Sequence, residues 1–314
     1  MRIRYLDGLR GVAIGMVVLF HVFKDTHPHA LISRYGLMGV ELFFMISGFV
    51  ILMTLDKCSS FGEFMGRRWL RLWPAMLIAC AFTLSLYFLF PPLPDGASVF
   101  PGLTLIDDRW YSWAFNSNVK PLDGSYWTLY LEMRFYVLFG LIYFWLGSRW
   151  AISALVAMSL FYLVLLFTGH GMGWWRYTDF RLEAWFAVGA CFYLWTKERK
   201  ESVFVAAVCC GILAAWIYYP SHGPRLAGLA LVGLFSICVR FNLGAVRPLV
   251  WLGAISYPLY LIHDPLLLTL GPVAGIGLSL ILAHLIAYYA EPMVRSGISD
   301  AYASRSRLRT MPAE

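Results

Sequence analysis

LDGLRGVAIGMVVLFHVF, residues 6–23, is an apolar run interrupted only by Asp7, Arg10 and His21. Its length and composition are those of a membrane helix, and the two basic side chains lie eleven positions apart. At about 100° per residue, Arg10 and His21 differ by only about 20° in azimuth, and they lie roughly 16 Å apart along the axis. They therefore share one face at two depths. Charged and ionisable groups inside a membrane segment face protein or a water-filled cavity, so this pair is the first candidate for a functional site.

The rest of the chain has the same character. Its 314 residues are 60% hydrophobic and only 14% charged, against about 45–50% and about 25% in soluble domains. The fold expected is all-α, a polytopic membrane protein of about ten transmembrane helices near 8–24, 36–55, 72–91, 127–146, 150–168, 181–196, 202–219, 225–240, 248–269 and 272–291. The first run has no small-residue cleavage site and belongs to the mature chain rather than to a signal peptide. Residues 1–295 read as one transmembrane domain and 296–314 as a short cytoplasmic tail.

With the N-terminus inside, sixteen basic residues fall in inside segments and seven in outside ones, which favours both termini in the cytoplasm. That asymmetry accounts for the net charge of +7, and no basic stripe with interleaved aromatics points to nucleic acid. The bilayer itself is the expected surroundings. Six cysteines, mostly within apolar runs and without metal-ligand spacing, read as small core residues, so no metal site is expected.

Counting depth along each helix places His21, Glu132 and the His263–Asp264 pair in one layer roughly 20–24 Å above the inner edge. Glu41 falls in that layer too, and Ser47 follows it on a helix carrying Gly39 and Gly48, whose expected role is close packing. A carboxylate beside a histidine fixes its tautomer and stabilises the imidazolium, the arrangement of a general base. Arg134 cannot face the same way as Glu132 and is expected to pair with another acid.

On the inner side, GRRWLRLWP, residues 66–74, makes a basic patch before the third helix. Arg67 and Arg71 are i, i+4, and Arg68 and Arg71 are i, i+3. Guanidinium groups suit phosphate, and they equally suit lipid headgroups. The long loop 92–126, containing DDRWYSWAF, is expected outside, as an interfacial helix, a sugar-facing surface or an aromatic belt.

Six stretches in order resemble the acyltransferase-3 family of integral membrane enzymes that O-acylate bacterial surface polysaccharides. They are LDGLRGVAIGMVVLFHV, GVELFFMISGFVI, RRWLRLWP, SYWTLYLEMRFYVLFG, LGAISYPLYLIHDPLL and YYAEPMVR. The chain departs from the pattern at Met133, where a second acid is usual, at Arg134, where glutamine is common, and at Glu41, where aspartate is more frequent. The resemblance implies acetyl-CoA used from the cytoplasm as a cosubstrate, with no permanently bound cofactor. The implied acceptor is a hydroxyl of a polysaccharide or lipid-linked glycan, such as exopolysaccharide or O-antigen, at the outer face of the bacterial inner membrane. Carried onto this sequence, His21 is the base, Glu132 supports it, Arg10 holds or polarises the donor, and Arg67, Arg68 and Arg71 bind its phosphates. Glu41, Ser47, Trp127 and His263 are the candidates for contacting the acceptor. Some members carry an extra extracytoplasmic hydrolase-like domain, which these 314 residues are expected not to hold. The competing class is a proton-coupled transporter or flippase, in which the same His/Glu layer would relay protons.

Overall fold

In the computed structural model, residues 3–91, 94–168 and 180–298 are described. Residues 299–314 of the expected tail, residues 92 and 93 of the long loop, and Arg176 lie outside that set. Thirteen α-helices are present among the described residues, and no strands. In order they are α1 (Arg4–Phe23), α2 (Leu31–Tyr35), α3 (Gly39–Leu55), α4 (Phe61–Leu89), α5 (Val99–Thr104), α6 (Asp108–Ala114) and α7 (Trp127–Leu146). They continue as α8 (Ser148–Phe167), α9 (Glu183–Glu198), α10 (Glu201–Tyr218), α11 (His222–Phe241), α12 (Arg247–Ala254) and α13 (Ser256–Leu285).

Among the described residues, eight stretches are long and apolar enough to cross a membrane. The last, Ser256–Ile298, is two spans joined at Gly271, whose φ of 75° breaks the helix, and the sixteen-residue α9 falls short of the length used for the others. The chain is an all-α polytopic membrane protein.

Three expected boundaries move. The third helix begins at Phe61 rather than 72, because Ser60 caps it by accepting the Glu63 amide while the Glu63 carboxylate takes the Ser59 amide. This is a reciprocal N-terminal cap that the sequence SSFGE signals. The arginines therefore lie inside α4, not before it. The ninth expected helix, 248–269, is split at Ile255, since Pro258 supplies no amide to the carbonyl four residues back. The tenth runs past 291 to Ile298 through one π-helical turn at Ile286–Ala290.

Glycines set how closely the central helices approach. A Cβ on Gly253 of α12 would lie 1.8 Å from the Asp7 carbonyl oxygen of α1, and one on Gly11 would lie 2.1 Å from that of Leu249. Gly48 of α3 and Gly189 of α9 meet their partner backbones in the same way, at 2.0 and 1.7 Å. The glycines of DGLRG are thus packing residues, as expected for Gly39 and Gly48. Gly253→Ala forces two backbones apart, with no flexible side chain to yield, and is expected to cost about 3 kcal/mol. The check is the yield and melting temperature of extracted protein beside Gly66→Ala, whose Cβ meets nothing within 4 Å. That control should be neutral or slightly stabilising.

At the basic end of the bundle, Asp56 ties three helices together. It accepts hydrogen bonds from Tyr143 of α7 at 2.8 Å and, on α9, from Tyr193 at 2.8 Å and Lys197 at 2.6 Å. Partial burial opposes its charge, but these donors outweigh it and hold the carboxyl below the ordinary aspartate range. A depressed carboxylate contributes stability that is present above its unfolded value and is lost as pH falls through the folded one. The wild-type protein is therefore expected to lose melting temperature below about pH 4 more steeply than Asp56→Asn. Parallel curves would count against this tie.

The long loop is not a surface feature throughout. Trp73 Nε1 donates to the Leu103 carbonyl at 3.0 Å, Gly102 packs on Cys80 and Met76, and the Tyr87 hydroxyl donates to the Leu122 carbonyl. Trp73 lies fourteen residues from Tyr87 on α4, or about 21 Å. The segment carrying α5 and α6 therefore dips deep along α4 and returns, leaving Trp113 and Phe115 exposed.

Candidate active site

Two joined cavities and one histidine pair hold most of the chemistry-bearing residues. The inner cavity is lined by Arg10 of α1, Ser47 of α3, Arg68 and Arg71 of α4, Glu132 and Tyr136 of α7, and Tyr257 and Tyr260 of α13. A second cavity shares Arg10, Val50 and Arg71 with it and extends past Asp7, Tyr288 and Arg295. Together they form one arginine-lined passage from the basic end into the bundle.

The three arginines are held differently. Arg10 donates to Asp7 at 2.9 Å. Arg68 donates to Thr54 Oγ1 at 3.1 Å, and its Nε is buried with no hydrogen-bond partner among the described residues. Arg71 lies 3.6 Å from Glu291 and 5.8 Å from the centre of the Tyr257 ring. A half-buried guanidinium whose Nε has no partner suits an incoming anion, because leaving a buried donor unpaired is costly. Arg67 is different. It pairs with Glu63 on its own helix at 2.6 Å, its side chain is 51% exposed, and it lines neither cavity. Arg295, which hydrogen-bonds to Glu291 and to the Arg71 carbonyl, lines the second cavity.

Glu132 accepts from Ser47 Oγ at 2.6 Å and from the Tyr136 hydroxyl, one turn along its helix. It does not hydrogen-bond to His21, and the expected common layer fails for a structural reason. The depth count put the outer edge at Trp127. However, Ser125 and Tyr126 are already buried, and Tyr260 accepts from Thr128 at 2.9 Å while donating to the Ser125 carbonyl at 2.9 Å. Helix α7 therefore starts below the rim. Tyr260 is about 4.5 Å below His263 on α13, and Glu132 is about 6 Å below Thr128 on α7, so Glu132 sits about 10 Å deeper than the histidines.

The histidines do meet. The rings of His21 and His263 stand edge to face with centroids 4.9 Å apart. Each ring directs Nδ1 to a carbonyl on its own helix, His21 to Val17 at 2.9 Å and His263 to Tyr260 at 2.8 Å. A carbonyl only accepts, so Nδ1 carries the hydrogen and Nε2 the lone pair in both neutral rings. His263 is wholly buried and its Nε2 has no hydrogen-bond partner among the described residues. Between this pair and the inner cavity stand Phe43 and Tyr260, with rings 6.2 Å apart and Tyr260 5.8 Å from His263.

Other sequence candidates lie elsewhere. Glu41 is buried against the Tyr219 hydroxyl, away from the cavities, and Trp127 lines neither. Ser47 faces Glu132 in the inner cavity rather than the far end. Arg134 pairs with buried Glu183 of α9 at 2.7 Å. Tyr136 and Tyr260 were legible only as neighbours, at i+4 from Glu132 and i−3 from His263.

The family model described as Acyltransferase domain, Acyl_transf_3, matches residues 3–290. The chain belongs to this acyltransferase family. It is 25% identical over 310 residues to O-acetyltransferase OatA of Staphylococcus aureus (strain NCTC 8325 / PS 47), covering 83% of this chain and 50% of that protein. It is 27% identical over 296 residues to "Putative membrane-bound transacylase BcsY" of Komagataeibacter xylinus, covering 84% of this chain and 72% of the relative. To "Putative peptidoglycan O-acetyltransferase YrhL" of Bacillus subtilis (strain 168) it is 26% identical over 354 residues, covering 93% and 54%. The chain thus spans about half the length of OatA and YrhL. No solved structure matches it.

Proposed function

We propose that this chain transfers an acetyl group from cytoplasmic acetyl-CoA to a hydroxyl of a polysaccharide or lipid-linked glycan on the far side of a bacterial inner membrane, with His21 as general base. The observation that carries the reading is the arginine-lined passage that ends at Phe43 and Tyr260, with the His21–His263 pair directly behind Tyr260 and His21 Nδ1 engaged by the Val17 carbonyl. The names of the relatives, an O-acetyltransferase and a membrane-bound transacylase among them, support the reaction class. The positive-inside rule supports placing the arginine-rich end in the cytoplasm.

In this reading Arg68, Arg71 and Arg295 receive the phosphates of coenzyme A. The pantetheine arm runs past Arg10 and Glu132 to the contacting rings of Phe43 and Tyr260, which must part for the thioester to reach the histidines. Arg10 lies roughly 16 Å below His21 along α1, so it holds the donor and does not reach the reacting carbonyl. His21 Nε2 takes the proton of the acceptor hydroxyl as its oxygen attacks the thioester carbonyl. The tetrahedral oxyanion then expels coenzyme A thiolate, which takes the proton from the imidazolium. The sum is an O-acetyl ester and free coenzyme A, with no net change in protons.

The test is release of coenzyme A from acetyl-CoA by the purified protein on addition of a bacterial glycan acceptor. Acceptor-dependent release with alkali-labile acetyl on the glycan is expected. Movement of a glycan across vesicles without any coenzyme A release would replace this reading with the transporter one.

A further inference from the structure

The reaction above uses one histidine, but the structure provides two. His263 sits on α13 against His21 of α1, brought there by the close α1–α12 contact that leads directly into α13. It is sealed from solvent, and its hydrogen bond to the Tyr260 carbonyl uses Nδ1. A buried imidazole nitrogen with no partner is a cost the fold bears. Packing alone does not require it, since a phenylalanine would fill the same edge-to-face contact without the orphaned atom.

We propose that His263 is a positioning residue for His21, favouring the imidazolium that forms when His21 takes the acceptor proton. The Nδ1 hydrogen of His263 is engaged by the backbone. What remains toward its surroundings is the Nε2 lone pair, which favours a neighbouring positive charge and which a phenylalanine lacks. The single proton taken from the acceptor is then held by a two-ring unit rather than by an isolated imidazole in an apolar layer. The titratable groups around His263 are His21 on α1, Tyr260 and Asp264 on its own helix, and Asp123 before α7, whose charge reaches Asp264. Glu132 is about 10 Å deeper and serves the donor cavity. The inference rests on the acyltransfer reading with His21 as base.

The experiment measures kcat/KM against pH for purified wild type, His263→Phe and His263→Gln, with His21→Ala alongside. Loss of a partner that favours the charged form lowers the proton affinity of His21. The acid limb of His263→Phe is therefore expected to move about one pH unit toward acid, with kcat/KM at its plateau at least tenfold lower. His263→Gln, which keeps an accepting atom, is expected to lie between the two. An acid limb that stays in place in both variants overturns the proposal, whether activity falls or not, because a merely structural role scales the profile without shifting it. Should His263→Phe fail to fold, the Gln profile decides by the same criterion. Activity remaining in His21→Ala would overturn the base reading itself. Loss of activity there with unmoved His263 profiles removes only the role of His263.

Discussion

His21→Ala is expected to insert and fold like the wild type and to leave the glycan without acetyl groups. Helix α1 loses little, because alanine is the strongest helix former and the His21 side chain contributes a bond to a carbonyl of its own helix, Val17, and ring contacts with Phe20 and His263. The aliphatic contacts that hold α1, through Leu6, Leu9, Ile14 and Val17, are on positions the substitution does not touch. What disappears is the lone pair that accepts the hydroxyl proton. Loss of a general base lowers the rate by about 10²–10⁴-fold, which in a glycan assay reads as absence. The measurement is alkali-released acetate from acceptor glycan, normalised to folded protein on size exclusion. Wild-type acetylation in this variant would end the assignment.

The second large effect separates arginines that are adjacent in sequence. The double variant Arg68→Ala, Arg71→Ala is expected to weaken acetyl-CoA binding about a hundredfold or more, since a hydrogen bond to a charged group contributes about 1.5–3 kcal/mol and two are lost from one cavity. Arg67→Ala is expected to change it less than about threefold, because that side chain lines neither cavity and is held by Glu63 of its own helix. Direct titration of acetyl-CoA into the purified variants decides it. Equal losses from all three positions would mean that the patch acts as a diffuse field, as a lipid-headgroup anchor does, and not as a built phosphate site.

The two largest effects concern residues whose importance was legible to different degrees. Arg10 and His21 stand out in the sequence because an apolar helix carries them at nearly one azimuth, and helical geometry alone guarantees that they share a face. The basic cluster stands out too, but its periodicity permits both the 67/71 and the 68/71 pairing. Only the position of α7 and α13 decided that α4 turns Arg68 and Arg71 inward and leaves Arg67 to Glu63. Arg295 was hidden because it is distant in sequence and joins the passage through the extended last helix.

The depth count succeeded for His21 and His263 and failed for Glu132. The first two lie on helices that rise from the same end without interruption near the site, so rise per residue is a fair ruler. Glu132 follows a segment that dips about 21 Å along α4 before α7 begins, and no periodicity in 92–126 announces that descent.

By itself, then, the sequence determined the class of the fold, the membrane helices and their number within the limits set by Ile255 and Gly271, and the placing of an arginine and a histidine on one helix face. These follow from hydropathy and helical period, which are local properties. The tertiary structure decided that His263 rather than Glu132 stands against His21, that two of three neighbouring arginines enter the passage, and that the long loop goes inward. Each of these depends on how far one helix is shifted or rotated against another. That offset is set by backbone contacts such as Gly253 on Asp7 and Tyr260 on Ser125, between residues far apart in the chain.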